Sequence, residues 1–242
     1  MYPVLFHIGT FDVTSFGVMV AVGALVALWM LRRELTLARM PDAAFDAAVA
    51  GLLGGMVGAK LLWVFEHHGE APVLELLLDR GGLSWFGGFA GGLLIGLTFA
   101  RRRRLPLVAL LAAATPAIAI GQAIGRLGCF LVGDDYGRAS DLPWAIAFPQ
   151  GVPPTSVPVH PTQLYEAAAL VPLAWLLVRM RRRHRPDAVV LGTYLVLAGA
   201  IRFFIEFLRV DVRVLGVFSV AHLASLGAIA AGAVVLYRSK PR

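Results

Sequence analysis

Cysteine is all but missing from this chain. Cys129 is the only one, which excludes an internal disulfide and a cysteine-based metal cluster. Charge is scarce too: 15% of the 242 residues are Asp, Glu, Lys or Arg, where a soluble domain carries about a quarter. Histidines at metal-ligand spacing are lacking, and His7, His67, His68, His184 and His222 read as ordinary interfacial or loop residues. No Lys or Arg precedes Arg32, so the N-terminus lacks the basic region of a cleaved signal peptide. Internal repeats and a separate soluble domain are also lacking.

What the chain does have is apolar. Hydrophobic residues make up 58% of it, mean hydropathy is +0.75, and several runs approach the ~20 residues that span a hydrocarbon core. The expected fold is an all-α polytopic integral membrane protein, a single transmembrane domain over 1–242. Seven spans are expected: 15–31, 45–66, 83–100, 107–125, 163–178, 188–207 and 217–237. The net charge of +7 and pI near 10.3 would suit a nucleic-acid partner if the basic residues formed one patch. They do not. Most of the 22 Lys and Arg residues sit in the connections after spans one, three, five and seven, as in Arg101–Arg104 and Arg181–Arg183. The opposite connections hold only Arg80, Arg138, Arg209 and Arg213. The positive-inside rule then puts the N-terminus outside and the C-terminus in the cytoplasm.

Glycines at 51, 54, 55 and 58, and at 87, 88, 91, 92 and 96, fit close helix packing. The segment VLELLLD reads as a short amphipathic helix. A loop over 132–162, rich in Gly, Pro and Asp, faces outward; its WAIAFPQG is either a short strand or an aromatic anchor.

Ionisable residues within the spans are the anomaly. Lys60, Arg126, Arg202 and Glu206 each cost several kcal/mol to insert, which makes them functional candidates. Arg202 and Glu206, at i and i+4, share a helix face and fit either a structural ion pair or a site. Arg126 has no carboxylate at helical spacing within its span, which weakens a pure pairing explanation; the bland alternative is a partner on another helix, such as Glu206. Two arginines converging at one membrane face would make a phosphate pocket, because guanidinium forks bind phosphate well. Lys60 also fits a snorkelling lysine. A second constellation, PVHPTQLYEAA, offers His160, Gln163, Tyr165 and Glu166, with Thr162 a plausible helix N-cap.

Three motifs together, GRLGCFLVGDDYG, HPTQLYE and IRFFIEFLR, resemble the prolipoprotein diacylglyceryl transferase family over nearly the whole chain. The resemblance implies transfer of a diacylglyceryl group from phosphatidylglycerol to the lipobox cysteine of a prolipoprotein, releasing glycerol phosphate. It implies phosphatidylglycerol, lipobox signal peptides and membrane lipids as partners, no nucleic acid, and no cofactor or metal. The implied location is the bacterial cytoplasmic membrane, with the active site toward the outer face. Arg126 would sit beside the lipid phosphate, and Gly133 and Gly137 would let the backbone turn close to the headgroup. Arg202 and Glu206 match the family's second arginine and its glutamate, and Asp134 stands where the family usually carries glutamate. His160, Gln163, Tyr165 and Glu166 match its HPSQLYE-type motif. The implied catalytic set is Arg126, Arg202, Glu206 and His160; Asp134, Gly137, Gln163, Tyr165, Glu166 and Lys60 would join Arg126 in binding substrate.

The chemistry is economical. A thiolate displaces a phosphate ester, so no covalent enzyme intermediate is needed, and Cys129 reads as a small buried thiol rather than the nucleophile. Four departures stand out: Phe86 at a usual histidine, Cys129 at a usual asparagine, Phe16 at a frequent tyrosine, and Ala198 at a frequent aromatic. The lost histidine leaves His160, Glu206 or the arginine field to activate the thiol. The competing readings are a lipid- or lipoprotein-binding paralogue without turnover, and a lipid transporter. A transporter would favour repeats and broken helices at mid-membrane, whereas the polar motifs here gather at one face.

Overall fold

The computed structural model describes residues 3–9, 11–79, 82–210 and 214–239. Arg80, Arg213, Lys240 and Arg242, part of the charge argument above, lie outside them. Seven long helices follow one another: α1 (Ser15–Leu37), α2 (Ala43–Glu66), α4 (Trp85–Arg102), α5 (Leu107–Val132), α6 (Thr162–Arg182), α7 (Asp187–Glu206) and α8 (Val220–Arg238). The short α3 (Val73–Leu78) is the helix expected in VLELLLD. Among the described residues, α1, α2, α5, α7 and α8 are long and apolar enough to cross a membrane. The other two expected spans fall on α4 and α6, which are more polar because arginines close both helices and TQLYE opens α6.

The all-α expectation leaves out two short antiparallel hairpins. β1 (Val4–Ile8) pairs with β2 (Phe11–Thr14), and β3 (Ile146–Phe148) pairs with β4 (Thr155–Val159). β3 is the strand alternative for WAIAFPQG, and the valines and threonine of β4 favour the extended partner it needs.

The chain divides into two compact units, residues 32–110 and residues 1–31 with 111–242. In the first, α2 packs on α4 through the expected glycines. A Cβ on Gly55 would lie 3.1 Å from the Gly88 carbonyl oxygen, and one on Gly58 would overlap the carbonyl oxygen of Gly87. Backbones this close maximise dispersion contact where apolar solvent supplies no hydrophobic drive.

In the second unit, Ala112 and Ala123 of α5, Ala167, Leu170, Leu173 and Leu177 of α6, and Val190 of α7 form a buried cluster. Ala198 lies against it, filling space with a methyl group. α7 meets α8 at Gly192, Gly199 and Gly232. α5 runs to Val132, two turns beyond the expected end at 125, because Leu127, Phe130 and Leu131 continue its apolar pattern. Arg126 and Cys129 are therefore helical, and both project from the last turns of α5.

Candidate active site

α5, α6 and α7 of this unit carry three of the sequence candidates to one point. Glu166, in the first turns of α6, has its carboxylate almost wholly buried. Its Oε2 lies 3.0 Å from Nε of Arg126 and 3.4 Å from Nη1 of Arg202. Gln122, one turn before Arg126, donates to Oε1 at 2.7 Å. The two arginines do converge, and a single carboxylate oxygen lies between them. The partner expected from another helix for Arg126 is Glu166 rather than Glu206: α5 faces the start of α6, whereas Glu206 is engaged with Arg202 and Ser219.

Glu206 is fully buried and holds Arg202 Nη2 at 2.8 Å. Its Oε1 accepts the Ser219 hydroxyl at 2.5 Å, which ties it to the start of α8. Here the loop reading of His222 gives way: it is fully buried, in the first turn of α8. Its Nδ1 accepts the Ser219 backbone N–H at 3.1 Å, completing a capping box, and the rings of Phe203, Phe207 and Phe218 surround it.

The loop after α5 brings two aspartates. Gly133 takes φ +79° and Asp135 φ +59°, turns that reverse the chain at the helix end. Asp135 Oδ2 accepts from Arg126 Nη1 at 2.7 Å, and its Oδ1 from Arg209 Nη2 at 2.6 Å. Burial alone would raise this carboxyl, but the hydrogen bond and charge of Arg209, with those of Arg126, hold it well below the usual carboxylate range. Asp134 behaves oppositely. Burial pushes its carboxyl up, and its Oδ1 is buried with no hydrogen-bond donor among the described residues.

The HPTQLYE segment works chiefly on backbone. Gln163 Nε2 donates to the Asp134 carbonyl at 2.5 Å, and the Thr162 hydroxyl donates to the Asp135 carbonyl at 2.8 Å. Thr162 is thus not an N-cap: Pro161 precedes α6, and the threonine side chain is spent on the aspartate loop. The Gly137 amide donates to the His160 carbonyl at 2.9 Å, and the His160 amide to the Arg138 carbonyl at 3.1 Å. Gly137 has no room for a side chain; a Cβ would fall 2.7 Å from the Leu208 carbonyl oxygen and 2.9 Å from the Cβ of His160. Tyr165 accepts from Trp144 Nε1 at 2.7 Å and lies 3.4 Å from His160 Nδ1.

One candidate, Lys60, and one departure, Phe86, belong to the other unit. Lys60 donates to the Asp79 carbonyl at 2.6 Å and lies over the Trp63 ring, and Phe86 is half-exposed against Trp85. Cys129 is buried, with Sγ 3.8 Å from Arg126 Nη1. Sequence reasoning passed over Asp135, Arg209, Gln122 and Ser219. Arg209 had a legible signal: with Arg202 and Glu206 it sits at i, i+4 and i+7, one helical face.

The residues can now be set beside known proteins. The family model described as prolipoprotein diacylglyceryl transferase matches residues 3–238. A phosphatidylglycerol–prolipoprotein diacylglyceryl transferase of Geobacter sulfurreducens is 35% identical over 235 residues, covering 92% of this chain and 89% of that protein. The one from Methylobacillus flagellatus is 35% identical over 233 residues, covering 90% and 87%. That of Pseudoalteromonas translucida is 32% identical over 239 residues, covering 94% and 86%. A match of this extent, over the segments that build the arginine cluster, places the chain in the prolipoprotein diacylglyceryl transferase family.

Proposed function

We propose that this protein transfers a diacylglyceryl group from phosphatidylglycerol to the lipobox cysteine thiol of prolipoproteins, the first step of bacterial lipoprotein maturation. The observation that carries this reading is the convergence of Arg126 and Arg202 on one oxygen at the ends of apolar helices. Guanidinium groups held there, within reach of lipid, suit a phosphodiester whose acyl chains stay in the bilayer.

The peptide thiolate attacks the glyceryl carbon next to the phosphate. A C–S bond forms, the C–O bond to phosphate breaks, and the electron pair leaves on the phosphate oxygen of glycerol phosphate. Arg126 and Arg202 neutralise the charge growing on that phosphate as the bond breaks. The same field stabilises the incoming thiolate, and the thiol proton leaves to interfacial water. Glu166 and Glu206 fix the two guanidiniums in place. His160, Thr162 and Gln163 hold the aspartate loop against the start of α6, and Tyr165 joins His160 to Trp144. Cys129 stays a packing residue, because the substrate supplies the thiol.

The protein works in the cytoplasmic membrane with seven spans, its N-terminus outside and this site toward the outer face. That orientation follows from the basic connections and sets the site where exported lipoproteins arrive.

The test is transfer from phosphatidylglycerol to a lipobox peptide by purified protein. Arg126→Ala and Arg202→Ala should abolish or nearly abolish transfer while the protein still accumulates in the membrane. Lysine at either position should rescue poorly, since an ammonium cannot reproduce a two-pronged fork. A wild-type protein that binds the lipid without transferring it would refute the enzyme reading, and a fully active Arg202→Lys would refute the fork.

A further inference from the structure

Asp135 is the carboxylate that the proposed chemistry leaves without a task. It touches Arg126, one of the two proposed phosphate ligands, and also Arg209, and it does so with one oxygen each, as a bridging phosphate would. Three features set it apart from Glu166 and Glu206. Its side chain is 40% exposed, against 2% and 0% for theirs. It stands on a loop rather than in a helix. Its backbone has a tether apart from the carboxylate, because the Asp135 carbonyl accepts from Thr162 Oγ1 at 2.8 Å; Arg209 Nη1 also reaches that carbonyl, at 3.1 Å. The carboxylate can therefore swing toward solvent by side-chain rotation alone, leaving the backbone and the arginines in place.

Charge supplies the reason for it to move. Arg126, Arg202 and Arg209 face Asp135, Glu166 and Glu206, three cations against three carboxylates, with Asp134 beside them as a fourth acid. An incoming phosphodiester therefore adds negative charge to a cluster with no cation to spare, and Glu166 and Glu206 are locked in it. We propose that Asp135 is an internal stand-in for the lipid phosphate: it holds Arg126 and Arg209 between turnovers, yields to an anionic headgroup, and thereby sets the affinity for that headgroup. The inference rests on the transferase reading. It makes Asp135 a determinant of substrate affinity and Arg209 a third headgroup ligand once the carboxylate has left.

Two substitutions remove the charge while respecting the left-handed backbone at this position, Asp135→Asn and Asp135→Gly. Full-length protein in detergent is titrated calorimetrically with dihexanoyl phosphatidylglycerol, and transfer to a lipobox peptide is measured over a range of the same lipid. Both variants should bind about tenfold more tightly, the worth of roughly one charge-assisted hydrogen bond, and the change should appear in KM. A purely structural Asp135 gives the opposite: weaker binding, a higher KM and a lower thermal midpoint in both variants. Wild-type protein that binds and transfers, with variants that bind no more tightly, overturns the stand-in alone. Wild-type protein that neither binds nor transfers overturns the transferase reading and the stand-in with it.

Discussion

Glu166→Gln tests whether one buried carboxylate holds the arginine cluster together. The substitution keeps the shape and removes the charge. Glu166 has two guanidinium partners, at 3.0 and 3.4 Å, and a third donor in Gln122 at 2.7 Å. Two unit charges about 4 Å apart attract by about 4 kcal/mol at an effective dielectric constant of about 20, so two arginines give about 8 kcal/mol gross. Burying the carboxylate consumes several kcal/mol of that, and removing one partner of such a buried pair leaves a net loss of about 3–5 kcal/mol. The glutamine amide makes matters worse, since its N–H groups face other donors. Thermal unfolding in detergent should show a clear fall in midpoint for Glu166→Gln. Transfer should drop by at least about 10²-fold, because misplacing a catalytic group by an ångström is enough to cause that. Gln122→Ala removes a single hydrogen bond to a charged group, about 1.5–3 kcal/mol, and should be the milder variant in both assays. A Glu166→Gln protein with the wild-type midpoint and wild-type transfer would refute the idea that this carboxylate positions the arginines.

Other outcomes follow from the same geometry. Cys129→Ala should retain most transfer activity, and a dead but abundant variant, or a lipid adduct on Cys129, would overturn direct displacement. Gly58→Val should lower accumulation in the membrane, because its Cβ overlaps the Gly87 backbone; normal abundance would show that α2 and α4 separate at little cost. An alkaline phosphatase reporter joined after Gly137 should be active and one joined after Arg102 inactive, with the reverse pattern refuting the orientation. Asp134→Asn should raise the thermal midpoint at pH 7. Burial raises the Asp134 carboxyl, so the wild-type protein keeps this group's contribution at low pH and loses it as pH rises through the shifted value. The advantage of asparagine should therefore vanish on acidification toward about pH 4, and a gap independent of pH would refute the account.

The helices were legible because they follow apolar runs, and close packing along two of them because their glycines recur at helical spacing, although not that α2 and α4 are each other's partner. Arg202 and Glu206 were legible as a pair since i and i+4 are neighbours on any helix. The rest depended on contacts that sequence distance hides. Asp135 and Arg209 are 74 positions apart, and Gln122 and Glu166 are 44 apart. No local pattern announces either pairing. His222 misled for a related reason: S-x-x-H is a poor copy of the usual capping box, and only the packed phenylalanines around it reveal a buried ring. The hairpin of β1 and β2 precedes the first apolar run, where hydropathy reasoning has nothing to measure.

The polar residues of HPTQLYE show why a motif and a binding site are different things. The family resemblance offered Gln163, Tyr165 and Glu166 as substrate ligands, while the residues alone also fitted helix capping and an aromatic belt. In the structure Gln163 and Thr162 are occupied with the carbonyls of Asp134 and Asp135, and Glu166 is buried beneath two arginines. These side chains satisfy loop carbonyls that would otherwise be stranded at the edge of an apolar region, where an unpaired polar group is expensive. The same bonds fix the height of the loop above α5 and so the reach of Asp135 toward Arg126. One short motif at the start of α6 thus both closes the fold and sets the geometry of the charge cluster, since the same segment that satisfies the loop carbonyls carries Glu166 to Arg126 and Arg202.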